Sequence, residues 1–245
     1  LPTETPLPSS TLVPIDVPQP TLTSTPILTP ITTSQPATPV IGLTGDQHVD
    51  EVSFFDNFSS RQLGWPEVND ASKILAYEAG GYSFHLFEKD SFDIVYIPVA
   101  FNPTEIAFDV QGVDGLDDGT VGVFCQFLDP MNYYYVEIDL LTGKYLIAQS
   151  LAGEFIPLTN PTEDGKYWLK AEGLQPATSI NRINISCYLD SLFVRVNDQP
   201  LDLVFVEKPF SEGGRSALFV YTYDSAGEEG YKVIFDNVEA YANNQ

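Results

Sequence analysis

The chain has 245 residues and carries 34 Asp and Glu against 11 Lys and Arg, a formal net charge of −23. Charge of that sign and size repels phosphate backbones and anionic lipid headgroups, which excludes nucleic acid and acidic membrane surfaces as natural partners and leaves cationic groups and divalent metals. There is no run of eighteen apolar residues, so no membrane insertion is expected.

Residues 1–48 differ in material from the rest. The first forty residues hold ten Pro and fourteen Ser or Thr, with no Gly, aromatic or basic residue. Proline at that density fixes φ and removes backbone donors, so the segment reads as an extended, polyproline-like arm or stalk. Aliphatic residues recur along it (Leu12, Val13, Ile15, Val17, Leu22, Ile27, Leu28, Ile31). A solvated spacer has no use for them, whereas a segment that docks on a surface does. Both readings stand, the second making the arm the route to a homo-oligomer or filament. His48 lies at the junction.

From residue 49 to 245 the composition is that of one folded domain. Short runs rich in Val, Ile, Phe and Tyr alternate with Gly, Asp, Asn and Pro, which predicts strands. They fall near 52–56, 74–78, 81–88, 93–98, 104–111, 120–128, 132–140, 144–149, 166–172, 181–188, 192–197, 200–206, 215–222 and 231–241. No window shows the i, i+3, i+4, i+7 apolar stripe of a helix. Turns are explicit at Gly80-Gly81, Leu140-Leu141-Thr142-Gly143 and Asn197-Asp198-Gln199-Pro200. Many strands without helical crossovers give an all-β fold: an antiparallel β-sandwich or jelly roll behind an extended N-terminal arm.

Cys125 and Cys187 each lie inside an apolar strand (VFCQF and INISCYL), and two readings stand, a disulfide between strands or two buried thiols. With no CxxC and two His, a zinc or iron site of Cys and His is not expected. Sparse Cys, a single Met and abundant Thr, Tyr and Pro fit an exported protein.

The order of several motifs carries a resemblance. Phe54-Phe55-Asp56-Asn57-Phe58 leads to Gly64-Trp65 and Gly80-Gly81-Tyr82. Then come Gly122-Val123-Phe124-Cys125-Gln126-Phe127, Asn132-Tyr133-Tyr134-Tyr135-Val136-Glu137-Ile138 and Thr142-Gly143-Lys144-Tyr145. Asn181-Arg182-Ile183-Asn184, Leu192-Phe193-Val194-Arg195-Val196-Asn197-Asp198 and Phe235-Asp236-Asn237-Val238 complete the series. Over roughly residues 52–241 this resembles the concanavalin A-like lectin/glucanase superfamily, in particular lectin-like domains behind Pro/Thr-rich linkers in exported bacterial proteins. The resemblance implies an extracellular or cell-surface location. It does not fix activity, because the fold hosts lectins, glycosidases and inert spacers.

Glu137-Ile138-Asp139 is similar to the start of the superfamily's glucanase motif, in which a second Glu follows Asp by two or three residues. Here Leu140, Leu141 and Thr142 follow. Retaining hydrolysis needs two carboxyls about 5–5.5 Å apart, so no glucanase-type enzyme is expected. Strand alternation puts Tyr133, Tyr135, Glu137 and Asp139 on one face, a ligand face for carbohydrate or another surface polymer. The plainer reading is half-buried tyrosines beside solvated acids. Asp56 and Asp236 lie in near-identical triplets, and the resemblance implies a structural calcium between the first and last strands, where their oxygens would suit a hard cation. The plainer reading is two solvent-facing carboxylates. His85, in an alternating strand, is expected to be structural. Two functions follow from different classes: a non-catalytic extracellular lectin-like module, or a structural subunit of an extracellular filament, sheath or layer assembled through the arm.

Overall fold

The computed structural model describes residues 51–243, apart from Asp164 and Ser225. The Pro-rich arm, its expected docking, His48 and the boundary near residue 48 lie outside the described residues.

Among the described residues sixteen strands form, in chain order β1 (Glu51–Asp56), β2 (Val68–Asn69), β3 (Lys73–Glu78), β4 (Gly81–Leu86), β5 (Ser91–Tyr96), β6 (Glu105–Asp114), β7 (Gly119–Asp129) and β8 (Asn132–Asp139). They continue with β9 (Lys144–Leu151), β10 (Glu154–Pro157), β11 (Leu169–Lys170), β12 (Asn181–Cys187), β13 (Ser191–Val196), β14 (Gln199–Phe205), β15 (Arg215–Thr222) and β16 (Tyr231–Asn243). Among the described residues there is no helix, and every strand pairing is antiparallel. A front sheet runs β10-β9-β8-β7-β15-β5, with β11 also on β9. A back sheet runs β14-β13-β12-β6-β16-β4-β3-β2, with β1 also on β16. The expected two-sheet jelly roll is the fold observed.

The first and last strands are neighbours. β16 is long enough for β4 and β1 to lie end to end along one side of it, with β6 along the other. The tight turns use residues that accept positive φ. Asn197 and Asp198 (φ 49° and 64°) join β13 to β14, and Ala79-Gly80 (54° and 83°) joins β3 to β4.

Alternation sorts the strands into a core between the sheets. From β8 come Tyr134, Val136 and Ile138; from β7, Val121, Val123 and Cys125; from β12, Ile183, Ile185 and Cys187; from β16, Val233 and Phe235. All are essentially inaccessible to solvent, and burying each large aliphatic side chain contributes about 1.5–3 kcal/mol. Cys125 and Cys187 are joined in a disulfide that ties β7 of the front sheet to β12 of the back sheet.

Two departures from the expected strands have local causes. The expected strand 166–172 shrinks to Leu169–Lys170. Thr159 Oγ1 donates to the Tyr167 carbonyl and Thr162 Oγ1 to the Lys166 carbonyl, so threonine side chains take the place of ladder partners there. An unexpected strand, β10, follows Ala152-Gly153, both at positive φ. Its four residues end in Pro157, too short a run to stand out in sequence.

Candidate functional site

The outward face of the front sheet is aromatic. Phe124 and Phe127 of β7 and Ala217 and Phe219 of β15 form a second buried cluster, separate from the core. Ile94 and Tyr96 of β5, Tyr133 and Tyr135 of β8 and Tyr221 of β15 pack against it. Strict alternation would turn Phe127 inward, three residues from outward Phe124. A bulge reverses it: Gln126 takes φ 49° and the β7–β8 register shifts after Cys125. The bulge is held from inside. Gln126 Nε2 donates to the Cys187 carbonyl at 2.7 Å, and Gly214 N donates to Gln126 Oε1 at 2.8 Å.

These rings surround a cavity of about 220 Å³ lined by Phe92, Phe124, Tyr133, Tyr135, Phe219 and Tyr221, with Glu137 as its one charged side chain. Phe124 and Phe219 stack with centroids 4.6 Å apart, and Tyr135 stands at 78° and 80° to them. Phe92 is 62% exposed and stands at the open side. Further along the same face, the Arg215 guanidinium lies 3.9 Å above the Tyr96 ring.

Glu137 faces outward beside Gly122 of β7, its register partner. Its Oε1 accepts from Thr120 Oγ1 at 2.5 Å. None of the ion pairs among the described residues includes it. Burial, and then the Asp139 charge, push its carboxyl above the ordinary value near 4.5, while the Thr120 hydrogen bond pulls back. Burial and the Glu137 charge likewise raise Tyr135, keeping that phenol neutral. Tyr221 donates to Asp90 Oδ1 at 2.5 Å, and that bond pushes it up to about 12.

The sign for stability follows. A carboxyl with a raised pKa binds its proton more tightly in the folded chain than in the unfolded one. The cost of its charge is therefore absent below pH 4.5 and fully present above the folded value. Glu137→Gln keeps an acceptor for Thr120 and removes the charge. It is expected to exceed the wild type in stability at pH 7. Urea melts across pH should show that gap closing toward pH 4.5; a gap that widens on acidification contradicts the assignment.

Three of the four expected ligand-face residues thus line one cavity: Tyr133, Tyr135 and Glu137. Asp139 does not join them. It is buried at the strand end, where its Oδ1 accepts from Leu141 N at 3.0 Å and Thr142 N at 2.8 Å and so closes the β8–β9 turn. Gly143 N donates to the Asp139 carbonyl in the same turn. Leu141, two residues beyond Asp139, is 51% exposed. The sequence missed Phe92, Phe124, Phe219 and Tyr221. The only available signal was that β5 and β15 carry apolar residues on both faces (SFDIVY, RSALFVYT).

Asp56 and Asp236 occupy adjacent strands, and each accepts from nitrogen donors. Asp56 is buried, its Oδ1 accepting from Phe58 N at 2.7 Å and its Oδ2 from Trp65 Nε1 at 2.8 Å. Asp236 Oδ1 accepts from Asn237 N at 2.7 Å. Burial raises Asp56; burial and then the Asp109 and Asp56 charges raise Asp236. Both oxygens of Asp56 are engaged by N–H donors, which suits a hydrogen-bonded carboxylate better than a calcium ligand, and among the described residues no group of three or more His, Cys, Asp or Glu is arranged as metal ligands. His85 Nε2 lies 2.8 Å from the Glu229 carbonyl and its ring packs on Phe87, a structural role.

No protein-family model and no curated protein matches the chain. Solved structures share its fold. Carbohydrate-binding module CBM66 from Bacillus subtilis is 13% identical, with a TM-score of 0.52 over 72% of this chain and 95% of that one. A Bacillus subtilis protein with a galectin-like fold is 10% identical, with a TM-score of 0.53 over 78% and 94%. The Bacillus licheniformis β-glucanase is 12% identical, with a TM-score of 0.56 over 78% and 97%. What these structures share with the chain is the fold, a two-sheet jelly roll, and both a binding module and a glucanase occur among them.

Proposed function

We propose that the protein is a non-catalytic carbohydrate-binding module that works outside the cell, with the outward aromatic face of the front sheet as its binding surface. The observation that carries this reading is the cavity itself: six aromatic side chains around a single half-buried carboxylate, on the outward face of the front sheet. Pyranose rings stack on aromatic rings, and carboxylates and phenols exchange hydrogen bonds with sugar hydroxyls. Glu137 Oε1 is engaged by Thr120, while Oε2 faces no hydrogen-bond donor of the described chain. Two of the structural neighbours, a carbohydrate-binding module and a galectin-like protein, support the same reading. The strand end after Asp139 supports binding over cleavage, because the next outward position holds Leu141 and the turn begins.

Calorimetric titration with neutral oligosaccharides tests this. Tyr135→Ala and Phe219→Ala are each expected to weaken binding by roughly tenfold or more, the effect of removing one stacking ring. Binding that survives both substitutions unchanged would place the site elsewhere.

A further inference from the structure

We propose that this cavity selects a ligand bearing an ammonium group, a protonated amino sugar or a quaternary ammonium, held among the aromatic rings with Glu137 as its counter-ion. The inference rests on the binding reading above and narrows its ligand. Three observations carry it.

The first is the composition of the lining. Ring faces carry negative quadrupole density, and clustered rings closed by one carboxylate are the environment in which alkylated ammonium groups are recognised. Six rings and one acid line the cavity, with no basic side chain among them.

The second is the unpaired state of that acid. Glu137 is half-buried, yet no Lys or Arg of the described chain pairs with it. A desolvated carboxylate without a counter-ion is unfavourable unless a ligand supplies one. A sugar hydroxyl gives it a hydrogen bond but no counter-charge; an ammonium gives it both.

The third is the chain's own use of the same face. Arg215 lies 3.9 Å above Tyr96, so the aromatic row already holds a cation at one end, where the protein provides it. The end with Glu137 is open. The net charge of −23 adds long-range attraction for cationic ligands and repulsion for anionic polysaccharides.

The test compares matched pairs on the full chain by calorimetry. A β-1,4 glucosamine oligomer is set against its N-acetylated counterpart of equal length, and choline against its neutral isostere 3,3-dimethylbutanol. Each cationic member is expected to bind at least roughly tenfold tighter than its neutral partner. Glu137→Gln, which keeps the Thr120 hydrogen bond, is expected to erase that preference. Asp117→Asn, an exposed acid in the β6–β7 turn, serves as the control for general surface charge. Loss of preference in Asp117→Asn as large as in Glu137→Gln overturns the inference, since the attraction would then belong to the whole surface. Equal binding of glucosamine and N-acetylglucosamine oligomers also overturns it and leaves the carbohydrate reading intact. Choline binding without any oligosaccharide binding upholds the ammonium site and removes the carbohydrate reading. Absence of both removes both.

Discussion

Replacing Cys125 and Cys187 together by alanine is expected to lower stability by about 4 kcal/mol, the chain-entropy value for a crosslink closing a loop of this length. The two residues are 62 apart in sequence and join one sheet to the other across the core. Removing the bond frees the unfolded chain; it also leaves two fully buried positions underfilled. At about 2–4 °C per kcal/mol for a domain of this size, the melting temperature should fall by roughly 10 °C. Circular dichroism melts of the double variant measure it, and a fall under about 2 °C would show that the staple constrains little. The consequence reaches the site. Cys125 points inward from the strand on which Phe124 points outward, and Gln126 reaches the carbonyl of Cys187. The crosslink and the bulge therefore anchor the strand that carries the floor of the cavity, and the variant should bind more weakly even where it remains folded.

The longer strands were legible because they are runs of β-branched and aromatic residues closed by Gly, Asn, Asp or Pro, and side-chain alternation assigned β8 correctly through Glu137. What alternation cannot express is a register change. Phe127 reaches the outward face only because Gln126 adopts a left-handed backbone, and glutamine carries no mark of that in sequence. Asp139 misled for a related reason: a carboxylate at a strand end can close the following turn, and its side chain then answers to local amides rather than to the face. The pairing of Cys125 with Cys187 stayed open in sequence because spacing alone does not bring β7 over β12. The cavity was only partly legible. Its residues come from β5, β7, β8 and β15, whose adjacency is a property of sheet order and not of chain order. Tyr133, Tyr135 and Glu137 share one strand and were found together; Phe92, Phe124, Phe219 and Tyr221 required the topology.

Gly122→Val is expected to cost about 3 kcal/mol or more and to abolish ligand binding, because this glycine is where the two sides of the site meet. Gly122 pairs with Glu137 on one neighbouring strand and with Phe219 on the other. A Cβ there would lie 2.1 Å from the Val136 carbonyl oxygen and 2.4 Å from Phe219 Cε1. The Phe219 ring lies across the bare backbone of Gly122, beside its stacking partner Phe124. Any side chain at 122 must lift that ring or push β7 from β8, and the carbonyl cannot yield without opening the sheet. Gly143→Ala makes the contrast. Gly143 has φ 67°, and a Cβ added to it would meet nothing within 4 Å. Alanine there incurs only the left-handed backbone penalty, about 1–2 kcal/mol, in the β8–β9 turn outside the cavity lining. Urea melts should separate the two variants by more than about 1 kcal/mol, with binding retained in Gly143→Ala and lost in Gly122→Val. Equal destabilisation with binding kept in both would mean that Phe219 does not depend on the space above Gly122, and the floor of the site would have to be redrawn.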